Sequence, residues 1–197
     1  MDSGNRFGDV EISDPKAMRA LAHPVRLAIL ERLQRHGPAT ASRLSPHVGA
    51  TPSVTSWHLR HLAGFGLVRD AEGGTDRRER RWAAVARGFR VEVPEGEEGW
   101  SAARLPAGEM FARNAELPLR WLTETAPDLE PEWARLAGAS NTRIVVTATE
   151  LAALKDALEE LIAPYVIREP DERPPGSRDV RLLTYALPQG PETDAPE

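Results

Sequence analysis

Apolar residues recur with helical spacing through the first third of the chain. Asp14-Pro15 places a capping side chain before a proline at a first helical position, and Met18, Leu21 and Ala22 follow at helical intervals, so a helix ending near His23 is predicted. Pro24 restarts the chain. Val25, Ala28, Ile29 and Leu33 then share one stripe until Gly37-Pro38 stops it, giving the firmest helix of the sequence. Thr40 can cap a short third helix carrying Ala41, Leu44 and Val48, which closes at Gly49-Ala50. Thr51-Pro52 opens a fourth, with Thr55, Leu59 and Leu62 on one face. Two helices joined by a tight glycine-containing turn form a helix-turn-helix unit.

Beyond Gly66 the pattern shortens. Leu67 to Asp70 reads as a strand, Gly73-Gly74 as a hairpin turn and Arg80 to Val85 as the returning strand, which together make a wing. Pro94 to Gly99 reads as a charged linker. Trp100 to Thr125 is helical in pattern through Met110, Phe111, Leu117, Trp121 and Leu122, with an interruption at Pro118. Thr142 to Val146 is strand-like, and Thr147-x-x-Glu150 is a capping box for a helix over Leu151 to Tyr165, with Leu151, Leu154, Leu158 and Leu161 on its stripe. A proline-rich loop, Glu169 to Ser177, leads to a second strand over Val180 to Leu187, expected to lie parallel to the first. The fold class is therefore α+β. Residues 1–93 form a winged helix-turn-helix domain, and residues 94–187 a helical linker or dimerisation region with a small strand-helix-strand domain. Residues 188–197 form a disordered tail.

Charge changes the picture once it is counted by segment. The net charge of -5 argues against a polyanionic partner for the whole chain, yet residues 1–93 hold 15 Lys and Arg against 10 Asp and Glu. Residues 94–197 hold 10 against 20. All five histidines lie in the first half, so a basic face suited to phosphate can exist there. Cysteine is absent, which removes disulfides, thiolate catalysis and cysteine-based metal or redox sensing. No run approaches the roughly 18 apolar residues of a membrane helix, and Met1 to Asp14 is too polar for a signal peptide, so the expected place is the cytoplasm.

The run Ala22-His23-Pro24-Val25-Arg26-Leu27-Ala28-Ile29-Leu30 resembles the opening of the ArsR-like (arsenic-repressor type) winged-helix regulators. Ser56-Trp57-His58-Leu59-Arg60-His61-Leu62, leading to Gly66-Leu67-Val68, is similar to the recognition helix and first wing strand of that family, in the same order and spacing. The resemblance spans about residues 14 to 90. It implies a homodimeric regulator of transcription, with His58 at the family's fixed histidine position. The metal-sensing members carry cysteine in the third helix; the matching stretch here, Ala41 to Val48, has none, so metal sensing does not carry over. Polar Thr55 also stands where the family places an apolar residue, which leaves the facing of the fourth helix open by about one residue.

With Thr55, Leu59 and Leu62 inward, Ser53, Ser56, Trp57, Arg60 and His61 point outward, and Thr51 caps the helix end that meets phosphate. Arg60 can bond bidentately to guanine, Ser53 and Ser56 to a base or phosphate, and Trp57 can touch a thymine methyl. Wing residues Arg77, Arg78, Arg80 and Arg81 can reach phosphates or a minor groove. Each has an ordinary alternative: a solvated arginine, a tryptophan packed on its own domain, a structural histidine, a solvated loop. His58 and His61 lack the partner carboxylate of a metal site, no catalytic constellation is present, and no cofactor is implied, so the chain is read as no enzyme. The expected partner is double-stranded DNA, an inverted-repeat operator bound by a homodimer that uses helix one and Met110 to Leu122. A small-molecule effector beside Trp100, Trp121 or Trp133 is a further option. The competing reading is a winged-helix protein-interaction module with the C-terminal unit as its binding surface.

Overall fold

The computed structural model describes residues 7–72, 80–92, 96–166 and 172–190. Four short helices build the head, each started by a local device in the sequence. Asp14 Oδ1 accepts the Lys16 N–H at 2.9 Å and opens α1 (Pro15–Leu21). His23 Nδ1 accepts from the Val25 N–H at 3.2 Å ahead of α2 (Pro24–His36). The Thr40 hydroxyl caps α3 (Ala41–Val48), and the Thr51 hydroxyl caps α4 (Pro52–Gly64) by accepting the Val54 N–H at 3.4 Å. Between α3 and α4 the chain turns at Gly49, whose φ of 67° is left-handed backbone that glycine adopts without steric cost.

The wing is a three-stranded sheet in the order β2 (Ala39–Thr40), β4 (Arg81–Ala84), β3 (Val68–Asp70), antiparallel throughout, with Val68 opposite Ala84 and Ala39 opposite Trp82. A second, two-stranded ribbon pairs β1 (Val10–Ile12) parallel to β5 (Phe89–Val91). The pattern of the sequence missed β1, β2 and β5, because two or three residues are too few to display an alternation. The predicted hairpin turn Gly73-Gly74 lies outside the described residues.

Met18, Leu21, Ile29, Leu44, Leu59 and Leu62 are fully or almost fully buried and form one core with Trp82 of the wing. Helix α5 (Glu97–Ala115) closes that core by laying Ala102, Ala103 and Pro106 against α1. The small side chains let the two helices approach closely. The linker expected over Pro94 to Gly99 is thus replaced by helix from Glu97: Gly96 turns the chain at φ 94°, and Glu97 and Glu98 sit in the first turn, where the helix dipole favours negative charge. Helix α6 (Leu117–Glu124) follows a break at Glu116, with Pro118 inside its first turn, where no N–H is needed. A single 3-10 turn (Ala126–Asp128) and α7 (Pro131–Ala134) lead to α8 (Ala148–Val166). The capping box is present there: Glu150 Oε2 accepts the Thr147 N–H at 2.8 Å and the Glu150 N–H donates to Thr147 Oγ1 at 3.2 Å.

The mixed helix-and-sheet class and the winged N-terminal domain are as predicted; the two C-terminal strands are not. Residues 142–146 and 180–187 adopt no regular secondary structure and enter no ladder, and Val145 is 96% exposed. Apolar, β-branched sequence prepares a strand, but only a partner strand makes one, and none lies beside either segment among the described residues. Of the predicted tail, residues 188–190 adopt no regular secondary structure and are exposed, and 191–197 lie outside the described residues.

Thr55 is fully buried on the inner face of α4, and its hydroxyl has no hydrogen-bond partner. A buried, unbonded hydroxyl costs about 1–3 kcal/mol. Thr55→Val keeps the shape and removes that cost, so thermal unfolding should show a variant about 1 kcal/mol more stable than the parent. A destabilised variant would show that the hydroxyl is bonded.

Candidate nucleic-acid interface

The facing of α4 is settled by burial. Thr55, His58, Leu59 and Leu62 point into the core, whereas Thr51, Ser53, Val54, Trp57 and Arg60 are exposed and Ser56 and His61 lie at the boundary. Thr55 rather than Val54 therefore takes the inward position. Arg60 Nη1 donates to Ser56 Oγ at 3.0 Å, one turn back along the outer face. Trp57, 53% exposed, is half-covered by its own helix: it meets the buried His58 ring edge-on at 4.9 Å and stacks on His61 at 5.4 Å with planes 12° apart, and His61 meets Phe65 edge-on at 5.3 Å. An aromatic ladder thus runs down one edge of the helix and presents an open indole near its N-terminal half. Thr51 keeps its hydroxyl on the helix cap.

His58 has a different task. It is 4% exposed, its ring lies 4.6 Å from that of His23, and its Nδ1 has no partner. Burial, helped by His23 and Arg26 nearby, pushes its pKa down from 6.5 to about 4. It is a neutral structural group that fixes α4 against α2. Arg26, also buried, leaves its Nε without a partner.

On the wing, Arg77 and Arg78 lie outside the described residues. Arg80 is engaged within the chain: two of its N–H groups grip the Asp70 carboxylate, at 2.5 and 2.8 Å, and its guanidinium lies 4.1 Å from the centroid of the Trp82 ring. The Arg80 hydrogen bonds hold the Asp70 carboxyl below its ordinary pKa. Arg81 Nη2 donates to the Pro38 carbonyl at 2.9 Å and ties the wing to the loop after α2. Two exposed cations escaped the sequence reading, Arg43 on the first turn of α3 and Arg69 on β3. The position of Arg43 three residues after the Thr40 cap was the available signal.

Among the described residues, no three His, Asp or Glu side chains gather into a group that could hold a metal, and no helix is long and apolar enough to cross a membrane. An open cleft of about 240 Å³ lies between Leu27, Phe89, Met110, Arg113, Arg181 and Leu183, and Trp100, Trp121 and Trp133 are not among the residues that line it.

Residues 21–71, from the end of α1 through β3, match the sequence model of the family described as a helix-turn-helix domain. The search of curated proteins returns no match. Among solved structures the chain is similar to the YusO protein from Bacillus subtilis, at 15% identity and a TM-score of 0.33 over 74% of this chain and 79% of that one. It is similar to a MarR family regulator from Neisseria meningitidis at 19% identity and a TM-score of 0.33, over 72% and 79%. A MarR family protein of Mycobacterium tuberculosis in complex with salicylic acid gives 18% and 0.32, over 76% and 87%. The helix-turn-helix match does not single out the ArsR-like type.

Two outcomes are expected from this geometry. The folded-state pKa of His58 lies below its unfolded value, so the unfolded chain binds the extra proton; the His58 contribution is full above about pH 6.5 and is lost as pH falls toward 4. Thermal unfolding across that range should show a steeper loss for the parent than for His58→Asn, and equal slopes would refute the burial of a neutral imidazole. Asp70→Asn removes the carboxylate that neutralises Arg80. Binding to random-sequence DNA should tighten and its salt dependence should steepen by about one unit, provided Arg80 then reaches phosphate; an unchanged salt slope would place Arg80 off the DNA.

Proposed function

We propose that the chain is a sequence-specific DNA-binding regulator of transcription, of the ArsR-like winged-helix type. It acts in the cytoplasm as a repressor, as a homodimer on an inverted-repeat operator. One observation carries the proposal: α4 buries Thr55, His58, Leu59 and Leu62 and presents Ser53, Trp57 and Arg60 on its opposite, exposed face. A helix of this kind, second in a helix-turn-helix, reads base edges in a major groove. Arg60 is the guanine reader and is preset by Ser56; Trp57 offers its open edge to a thymine methyl. Thr51 and the N–H groups at the start of α4 meet phosphate, Ser53 meets phosphate or base, and His61 supports Trp57 from behind. Arg77 and Arg78 serve the wing, with Arg43 and Arg69 on the flanks.

Helix one is withdrawn as a dimer surface. The apolar face of α1 is covered by α5 of the same chain, whereas Met110, Phe111, Leu119 and Leu122 are exposed. A small apolar acid is a fitting effector for the cleft beside Arg113 and Arg181, although both arginines already bind Glu31. The alternative of a protein-interaction module draws on the exposed apolar residues of the second half. Salt separates the two: DNA binding through arginines weakens steeply as salt rises, and an apolar protein contact does not.

The test is titration of the parent and Arg60→Ala against a selected operator and a scrambled duplex. Arg60→Ala should lose about 1–3 kcal/mol on the operator, flatten preference at one base pair per half-site and leave the scrambled duplex nearly unaffected. Equal losses on both duplexes would make Arg60 a phosphate contact, and no loss on either would overturn the reading of α4.

A further inference from the structure

In a single chain, residues 142–166 and 180–187 have their polar and apolar faces the wrong way round. Helix α8 turns Glu159 toward the head, where it meets Arg90 at 2.9 Å, and the Val166 carbonyl accepts from Arg87 at 3.1 Å. Its apolar stripe, Leu154, Leu158, Leu161 and Tyr165, faces solvent instead, and no residue of the helix is buried. The same inversion holds for the second segment, 180–187. Arg181 reaches Glu31 and Tyr185 tilts against Phe111 at 5.3 Å, while Val180, Leu182 and Leu187 are each more than three-fifths exposed. Ile144, Val145 and Val146 of the first segment are exposed as well. A nearly continuous apolar strand belongs in a sheet covered on both faces. Here Leu183 and Tyr185 lean on the head, and no strand among the described residues pairs with either segment.

We propose that residues 142–166 and 180–187 form half of a two-chain layer, in which segments 142–146 and 180–187 become β-strands, and α8 covers them, when a second copy of this chain docks on the same surface. Three considerations select a second copy. One chain supplies two strand segments and one helix, and α8 buries no residue against them; two chains supply four strands and two helices, a complete sheet-and-helix layer. The surface contains both the strands and the helix stripe, so a two-fold axis can set each against its complement, as a symmetric interface demands. The area is also sufficient. The thirteen large apolar residues of these two stretches that stand exposed amount to roughly 700 Å² per chain, at ~100 Å² for a whole side chain. That is close to the ~800 Å² per partner of a stable interface and well above the patch of a few hundred Å² common on monomers. The inference deepens the homodimer of the proposed regulator by naming its surface, and it shares with that reading only the two-fold symmetry.

The experiment compares the full chain with Leu161→Glu/Leu182→Asp by sedimentation and by amide hydrogen exchange. Both side chains are exposed in the single chain, so the head should melt unchanged. The parent should be dimeric at about 10 μM, with amides of 142–146 and 180–187 exchanging at least 100-fold slower than in an open chain. Dilution should remove that protection, and the double variant should be monomeric. A monomeric parent at tens of micromolar, a dimer whose two segments exchange freely, or a double variant that still dimerises would each overturn the proposal. Titration with a single half-site duplex keeps the two readings apart. Loss of the dimer should leave half-site contact in place, whereas a dimer that binds no DNA would refute the regulator and spare this inference.

Discussion

Burial of one face of α4 against α2 and α3 is the constraint on which the rest of the head depends. Leu59 and Leu62 are wholly excluded from water there, and each contributes about 1.5–3 kcal/mol relative to exposure. A helix held at two positions on one stripe cannot rotate about its axis. A turn of one residue would expose leucine and bury Ser56 or Arg60. The same packing that holds the fold together therefore aims Ser53, Trp57 and Arg60 outward. Helix α5 extends the constraint by closing the core over α1, so the orientation of α4 depends in part on a helix from the second half of the chain.

The polar atoms inside this seam break the usual rule. Thr55 Oγ1, His58 Nδ1 and Arg26 Nε are buried without partners along the contact of α2 with α4. Such groups cost stability wherever they occur, and among the described residues all three lie on or beside α4, behind its exposed face. Outside the seam, charges are arranged with more compensation. Asp70 neutralises Arg80, and Glu31 takes both Arg113 and Arg181, so these three cations are engaged within the chain.

Where a local device decided structure, the sequence was legible. Asp14, Thr40, Thr51 and Thr147 each begin a helix as caps must, Gly49 makes the turn, and the stripe of α4 buries Thr55, Leu59 and Leu62 as its spacing implied. That of α2 buries Ile29 and Leu33 but leaves Val25 and Ala28 half-buried, while Leu27 and Leu30 go inside. Thr55 was ambiguous from chemistry alone, since a threonine inside a core contradicts its polarity; only packing decides it. Long-range pairing was illegible in both directions. Strands β1, β2 and β5 are too short to show a period, and their existence depends on partners 40 to 80 residues away. Residues 142–146 and 180–187 display a strand pattern without a partner in the same chain. For the site, the outward residues of α4 could be read from its stripe, but the capture of Arg80 by Asp70 and of Arg81 by the Pro38 carbonyl could not. A run of arginines states charge, and only geometry states which charges are free.

The central claim is that the outer face of α4 reads sequence in duplex DNA. It is tested most directly by incubating the full chain with fragmented genomic DNA at physiological salt, recovering the bound fragments and sequencing them. The account predicts enrichment of one motif, an inverted repeat whose half-sites lie about one helical turn, roughly 10 base pairs, or a multiple of it apart. Recovery of fragments with no shared motif would contradict it.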